Sequence, residues 1–273
     1  MVMIKSITIL TALADLTLGL KVLWIGNSYT YFNDLPTMVA KIAKADGIEL
    51  EFDSHTEGGW TWELHAHSQD TLDKIYSQPW DVVIMQEYST RPAYDENTVC
   101  RDTVPYLDEL VTHILTNNPA TILQFYLTWG RPYGEAELCK EEEQFCSYDT
   151  MQAALTTSYT TFACMNKPAR AAPVGEAFSF VKKTHGDSLF YELYNTLGVS
   201  DHHPSLAGSY LAALTHYLAL YDGGVVGNTE TFGLDDDMVS KLQTAAEMTW
   251  RLVDWDYGAG RDCDQCMCQG CGV

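Results

Sequence analysis

The sequence predicts an α/β protein: a three-layer α/β/α sandwich built on a mainly parallel sheet of five strands. Three observations predict it. Short apolar runs containing β-branched residues occur at residues 21–25, 80–86 and 120–128. Stretches with apolar residues at helical spacing separate and follow them, so strands alternate with helices along the chain. Several of the runs end in glycine or amide residues, where a buried parallel strand would leave the sheet at its carboxyl edge.

In chain order, residues 21–25 form the first strand, broken by Gly26-Asn27-Ser28. A helix is expected over 35–45, with Leu35, Met38, Val39, Ile42 and Ala43 on one stripe, Pro36 in its first turn and Gly47 past its end. A less buried strand over 48–55 leads into Gly58-Gly59-Trp60-Thr61, and a helix over 62–76 follows. His65 and His67 lie two apart on that helix, point in different directions, and read as surface or rim residues. The strand at 80–86 runs into Glu87-Tyr88-Ser89. A helix over 103–115 precedes the strand at 120–128, which ends at Trp129-Gly130-Arg131-Pro132. A polar acidic loop over 135–144, a helix over 148–165, a short fifth strand over 171–175, an apolar helix over 206–221 and an amphipathic helix over 235–254 complete the pattern. No internal repeat or linker divides it. One domain is expected over 21–257, preceded by a signal-peptide-like segment at 1–20 and followed by a Cys-rich tail at 258–273.

The chain has 273 residues and a formal net charge of -21. Such a surface repels phosphate backbones, which argues against a nucleic-acid partner. Residues 1–20 carry one Lys and then a mostly apolar run, interrupted by Asp15. They resemble a secretory signal peptide cut near Gly19, with an amphipathic first segment of the domain as the alternative. The run is too short to span a bilayer. Eight cysteines, Cys100, Cys139, Cys146, Cys164, Cys263, Cys266, Cys268 and Cys271, fit disulfides in an oxidising compartment. The tail spacing leaves a zinc–thiolate site open as an alternative. The expected location is secreted or extracytoplasmic.

The chemistry gathers at one edge of the predicted sheet. Ser28 follows the first strand at a turn whose backbone N–H groups can face an anion. Downstream, Asp201-His202-His203-Pro204-Ser205 enters a helix. A Ser, a His and an Asp at one edge are the parts of an activated nucleophile, in which the His takes the Ser proton and the Asp orients the imidazole. Tyr29, Trp60, Tyr88 and Trp129 fall at the same edge, where they could line an acyl or sugar pocket or simply pack in the core.

Taken in order, Gly26-Asn27-Ser28-Tyr29-Thr30, Gly59-Trp60-Thr61, Val83-Ile84-Met85-Gln86-Glu87 and Asp201-His202-His203-Pro204-Ser205 resemble the blocks of the SGNH (GDSL-like) hydrolase superfamily, over roughly residues 21–221. The runs around Trp129-Gly130 and Pro173-Val174-Gly175, with 208–213, resemble a sparsely characterised branch of it. The resemblance implies a flavodoxin-like sandwich. It implies Ser28 as nucleophile, His203 as base and Asp201 as orienting acid, with no metal or other cofactor. It implies an oxyanion hole from the Ser28 and Gly59 backbone N–H groups and the Gln86 side chain. The expected substrate is a small-molecule or carbohydrate ester carrying a short acyl group such as acetyl. The chain departs from the family pattern twice. Gln86 stands where Asn is usual, and Asp201 lies two rather than three residues before His203. Asp187, or a dyad assisted by a backbone carbonyl, is therefore an alternative to Asp201, as is His202 for the base. The departures also leave room for a non-catalytic carbohydrate-binding protein on this fold.

Overall fold

The computed structural model describes residues 19–195 and 202–257. The signal-like segment up to residue 18, Asp201 and the Cys-rich tail lie outside the described residues. Six strands, β1 (Lys21–Gly26), β2 (Glu51–Thr56), β3 (Val82–Met85), β4 (Ile122–Tyr126), β5 (Ala169–Ala172) and β6 (Asp256–Tyr257), form one sheet in the order β2-β1-β3-β4-β5-β6. β1 to β5 are parallel, with Leu23 opposite Val83 and Val83 opposite Leu123. The sequence predicted five strands. The sixth is a two-residue antiparallel edge on β5, too short to show any periodicity.

The helices are α1 (Ser28–Tyr31), α2 (Leu35–Ala45), α3 (Trp62–Ala66), α4 (Gln69–Tyr76), α5 (Glu96–Asp102), α6 (Val104–Asn117), α7 (Tyr148–Met165), α8 (Val174–Glu192), α9 (Leu206–Tyr221) and α10 (Asp236–Leu252). The single helix expected over 62–76 is two, because Ser68 accepts from the Thr71 N–H (3.3 Å) and caps a new start. The fifth strand ends at Ala172, since Val174 already begins α8. Sequence periodicity missed α8, whose second half is polar and contains Gly186 at φ 80.

Successive residues of a strand face opposite layers. Val22 and Trp24 of β1 pack into the layer of α2, α8, α9 and α10. Leu23 and Ile25 pack into the layer of α3 to α7. All four are buried, each contributing roughly 1.5–3 kcal/mol of burial free energy. A buried two-sided strand cannot slip by one residue without exchanging its two faces, so the register that delivers Gly26 and Ser28 to the sheet edge is firmly set. From β1 the chain goes to β2 on one side and to β3 on the other. The crevice beyond the carboxyl ends of β1 and β3 is therefore the switch point where open α/β sheets bind ligands.

Cys139 and Cys146 form a disulfide, and this fits an extracytoplasmic protein. Among the described residues, no helix is long and apolar enough to cross a membrane.

Candidate active site

The turn after β1 is braced on three sides. The Asn27 N–H donates to Gln86 Oε1 (2.8 Å), and Thr30 Oγ1 donates to the same oxygen (2.9 Å). Asn27 Oδ1 accepts from the Tyr29 N–H (3.2 Å), while Asn27 Nδ2 donates to the Trp60 carbonyl (2.9 Å). The Thr30 and Tyr31 N–H groups donate to the Asn27 carbonyl. Gly26 sits inside this bracket. A Cβ there would lie 2.5 Å from Thr30 Oγ1 and 2.7 Å from Gln86 Oε1, so only glycine fits. Ser28 is the first residue of α1, half-buried, with its hydroxyl free to face the crevice.

His203 meets it there. Its Nε2 lies 2.8 Å from Ser28 Oγ. The imidazole stacks on Phe32, with ring centroids 4.2 Å apart and planes 12° from parallel. Its backbone is fixed as well: the Asn195 N–H donates to the His203 carbonyl (2.8 Å), and Tyr194 bridges Pro204. Asn33, at φ 53, donates from Nδ2 to the Pro204 and Ser205 carbonyls and to Ser209 Oγ. This side chain fastens the segment after the nucleophile to the segment after the histidine. His202 is held elsewhere, with Nδ1 2.8 Å from Tyr29 Oη and its carbonyl accepting from Trp129 Nε1 (3.1 Å). Asp187, the alternative acid, is exposed on α8.

Three expectations need correction. Tyr29 and Trp129 do not line a pocket: they are 1% and 0% exposed, stacked on each other at 4.5 Å, with Trp129 stacked in turn on Phe178. Gln86 is buried rather than projecting into the crevice: it is 1% exposed, its Oε1 accepts from Asn27 and Thr30, and its Nε2 spends one N–H on the Glu87 carbonyl. Its extra methylene lets it reach under the nucleophile turn and brace it. His65 is not a rim residue but fully buried. Its Nε2 donates to the Gly26 carbonyl (2.9 Å), and its Nδ1 meets Thr71 Oγ1 (3.1 Å), which meets His55 Nδ1 (2.9 Å). Trp60 and Tyr88 are half-buried, and Trp60 packs its ring against the edges of His55 and His65.

The aromatic residues that do border the site are Phe32 and Tyr31. Tyr31 is 43% exposed, and its hydroxyl lies against Gly58. The signal for it was present in the spacing: residue 31 is one turn after residue 28 on the same helix and so shares its face.

Gly59 is exposed and adopts φ +75, with open space where a Cβ would project. Gly59→Ala therefore meets no clash but costs about 1–2 kcal/mol of backbone strain. The expected result is a lower melting temperature together with a shifted loop, and a variant as stable as the wild type would contradict it.

Burial holds two imidazoles neutral: His65 is lowered to about 4 and His216, wholly buried, to about 3. Burial pushes Glu87 the other way, up to about 7 from an ordinary 4.5. A depressed histidine contributes stability that is present above its unfolded value and lost as pH falls toward its folded value. A raised carboxyl contributes stability that is present at low pH and lost as pH rises through about 7. Between pH 6.5 and 4.5 two groups lose and one gains, so the net expected loss is about 1.4 kcal/mol per pH unit. Urea midpoints across that range check it, and His216→Gln should remove one histidine's share; a flat profile in the wild type would contradict it.

No family model matches the chain, and no curated protein matches it. Solved structures do. A DUF4886 family protein from Bacteroides uniformis superposes with a TM-score of 0.70 at 19% identity, over 84% of this chain and 93% of its own. A candidate SGNH hydrolase from Slackia heliotrinireducens superposes with a TM-score of 0.58 at 26% identity, over 74% of this chain and 99% of its own. A candidate GDSL-like lipase from Parabacteroides merdae gives 0.50 at 13% identity, over 75% and 96%. The three neighbours share this fold, and by the 26% identical structure among them the chain is similar to the SGNH (GDSL-like) hydrolase superfamily.

Proposed function

We propose that this protein is a secreted serine esterase that cleaves a short acyl group, such as acetyl, from a small-molecule or carbohydrate alcohol. The observation that carries the reading is the 2.8 Å contact between His203 Nε2 and Ser28 Oγ. In the proposed reaction His203 takes the Ser28 proton as Oγ attacks the ester carbonyl. The Ser28 and Gly59 N–H groups receive the developing oxyanion. His203 then returns the proton to the leaving alcohol, and water releases the acyl group by the same steps in reverse. Asp201 is the proposed orienting acid. The stack on Phe32 supports the geometry, because it fixes the plane in which Nε2 points at Ser28. Tyr31, exposed beside the nucleophile, supports an acyl or sugar contact at the mouth of the site. The disulfide supports export.

Rapid mixing with p-nitrophenyl acetate tests the covalent route. A burst of p-nitrophenol approaching one equivalent per chain, followed by slower turnover, is expected if deacylation limits the rate. A protein that binds acetylated sugars but releases no p-nitrophenol would favour the non-catalytic alternative.

A further inference from the structure

Glu87 takes no part in the mechanism above, yet it is 2% exposed and lies two residues after the end of β3 at the switch point. Its carboxylate bonds two backbone amides from different parts of the chain. Oε2 accepts from the Trp62 N–H (2.9 Å) and Oε1 from the Tyr88 N–H (2.5 Å). Its own N–H donates to Tyr159 Oη (3.2 Å), and its carbonyl accepts from Gln86 Nε2. Trp62 opens α3 immediately after Gly58-Gly59-Trp60-Thr61. The same loop is held from the other side by Asn27 Nδ2 on the Trp60 carbonyl. Glu87 and Gln86, adjacent in sequence, thus anchor the glycine loop and the nucleophile turn respectively.

We propose that Glu87 is a positioning residue: its ionised carboxylate holds the loop of residues 58–62 so that the Gly59 N–H faces the same point as the Ser28 N–H. This rests on the reading of Ser28 and Gly59 as oxyanion donors. Three features carry it. The two amide bonds are charge-assisted and so constrain geometry more strongly than neutral ones. The acid is retained at a cost, since burial raises it to about 7 and a neutral side chain of the same shape would avoid that. A glutamine, however, has one acceptor oxygen and would turn an N–H donor toward either Trp62 or Tyr88. The charged groups facing Glu87 are Arg91 and Glu63, which lie 3.9 Å from one another, with the Tyr159 hydroxyl beside them. The Arg91 charge favours the ionised form and Glu63 opposes it.

The test compares the wild-type chain with Glu87→Gln on p-nitrophenyl acetate across pH 5–9, with melting temperatures measured alongside. The expected result is a kcat lower by roughly 10- to 100-fold with KM little changed, because a displaced oxyanion donor acts on the transition state. The acid limb of kcat/KM should fall with one more proton in the wild type, from Glu87, than in Glu87→Gln. A Glu87→Gln enzyme with wild-type kcat, or one whose loss lies wholly in KM, overturns the proposal. Should Glu87→Gln not fold, the wild-type acid limb decides, and a one-proton limb overturns it. Failure of the underlying esterase reading looks different: the wild type itself would then not turn over the ester at any pH.

Discussion

Ser28→Ala is expected to lower kcat for ester hydrolysis by about 10⁴-fold or more while leaving the fold intact. The size follows from the role. Removing Oγ removes the atom that forms the covalent bond, and only the binding and oxyanion contributions remain. The fold should survive because Ser28 does not hold its own turn together. Asn27 caps α1, Gln86 and Thr30 bracket Gly26, and His65 fastens the Gly26 carbonyl. Ser28 is half-buried, and alanine fits the first position of a helix. Melting curves and steady-state rates on the same preparation check both halves. An inactive Ser28→Ala that has also lost its melting transition would not support the role, and a variant with wild-type turnover would contradict it.

His203→Ala should cost a comparable factor in kcat, about 10³- to 10⁵-fold, since the nucleophile then has no base at neutral pH. The adjacent residue provides the internal contrast. His202 has the same side chain, lies one residue away, and stacks against His203 at 5.0 Å, yet its Nδ1 is engaged by Tyr29. His202→Ala should therefore lower melting temperature through the Tyr29–Trp129 stack more than it lowers kcat. Measuring kcat and melting temperature for both variants separates the two roles. If His202→Ala were the less active of the pair, the base would be misassigned.

The fold was readable because buried parallel strands show as apolar runs, and α2, α7 and α9 have uninterrupted stripes whose ends coincide with the expected ones at 35–45, 148–165 and 206–221. β6 was not readable, because two residues pair through their backbone alone. Of the site, the meeting of residues 28 and 203 followed from strand-end logic and family resemblance. The orientation of side chains did not. Tyr29 and Tyr31 are the same residue type two positions apart on one short helix, and the half-turn of phase between them makes one core and the other rim. Gln86 likewise read as site-facing from its strand-end position and the family resemblance, and His65 as exposed from its spacing to His67. Their burial is set by which carbonyl or amide the turn leaves unsatisfied, a tertiary fact absent from local pattern. Glu87 gave no signal beyond standing beside Gln86. A buried acid is recognised only when the two amides it serves, at 62 and 88, are brought together in space.

The proposed esterase stands on the Ser28 hydroxyl acting as a nucleophile under the His203 imidazole. Incubation of the intact protein with a fluorophosphonate, followed by digestion and mass spectrometry, tests it most directly. A single phosphonyl adduct is expected on the peptide containing Ser28, formed much more slowly in His203→Ala and missing from Ser28→Ala. An unmodified Ser28 in protein that is folded and fully exposed to the reagent, or equal labelling of Ser28→Ala, would contradict it.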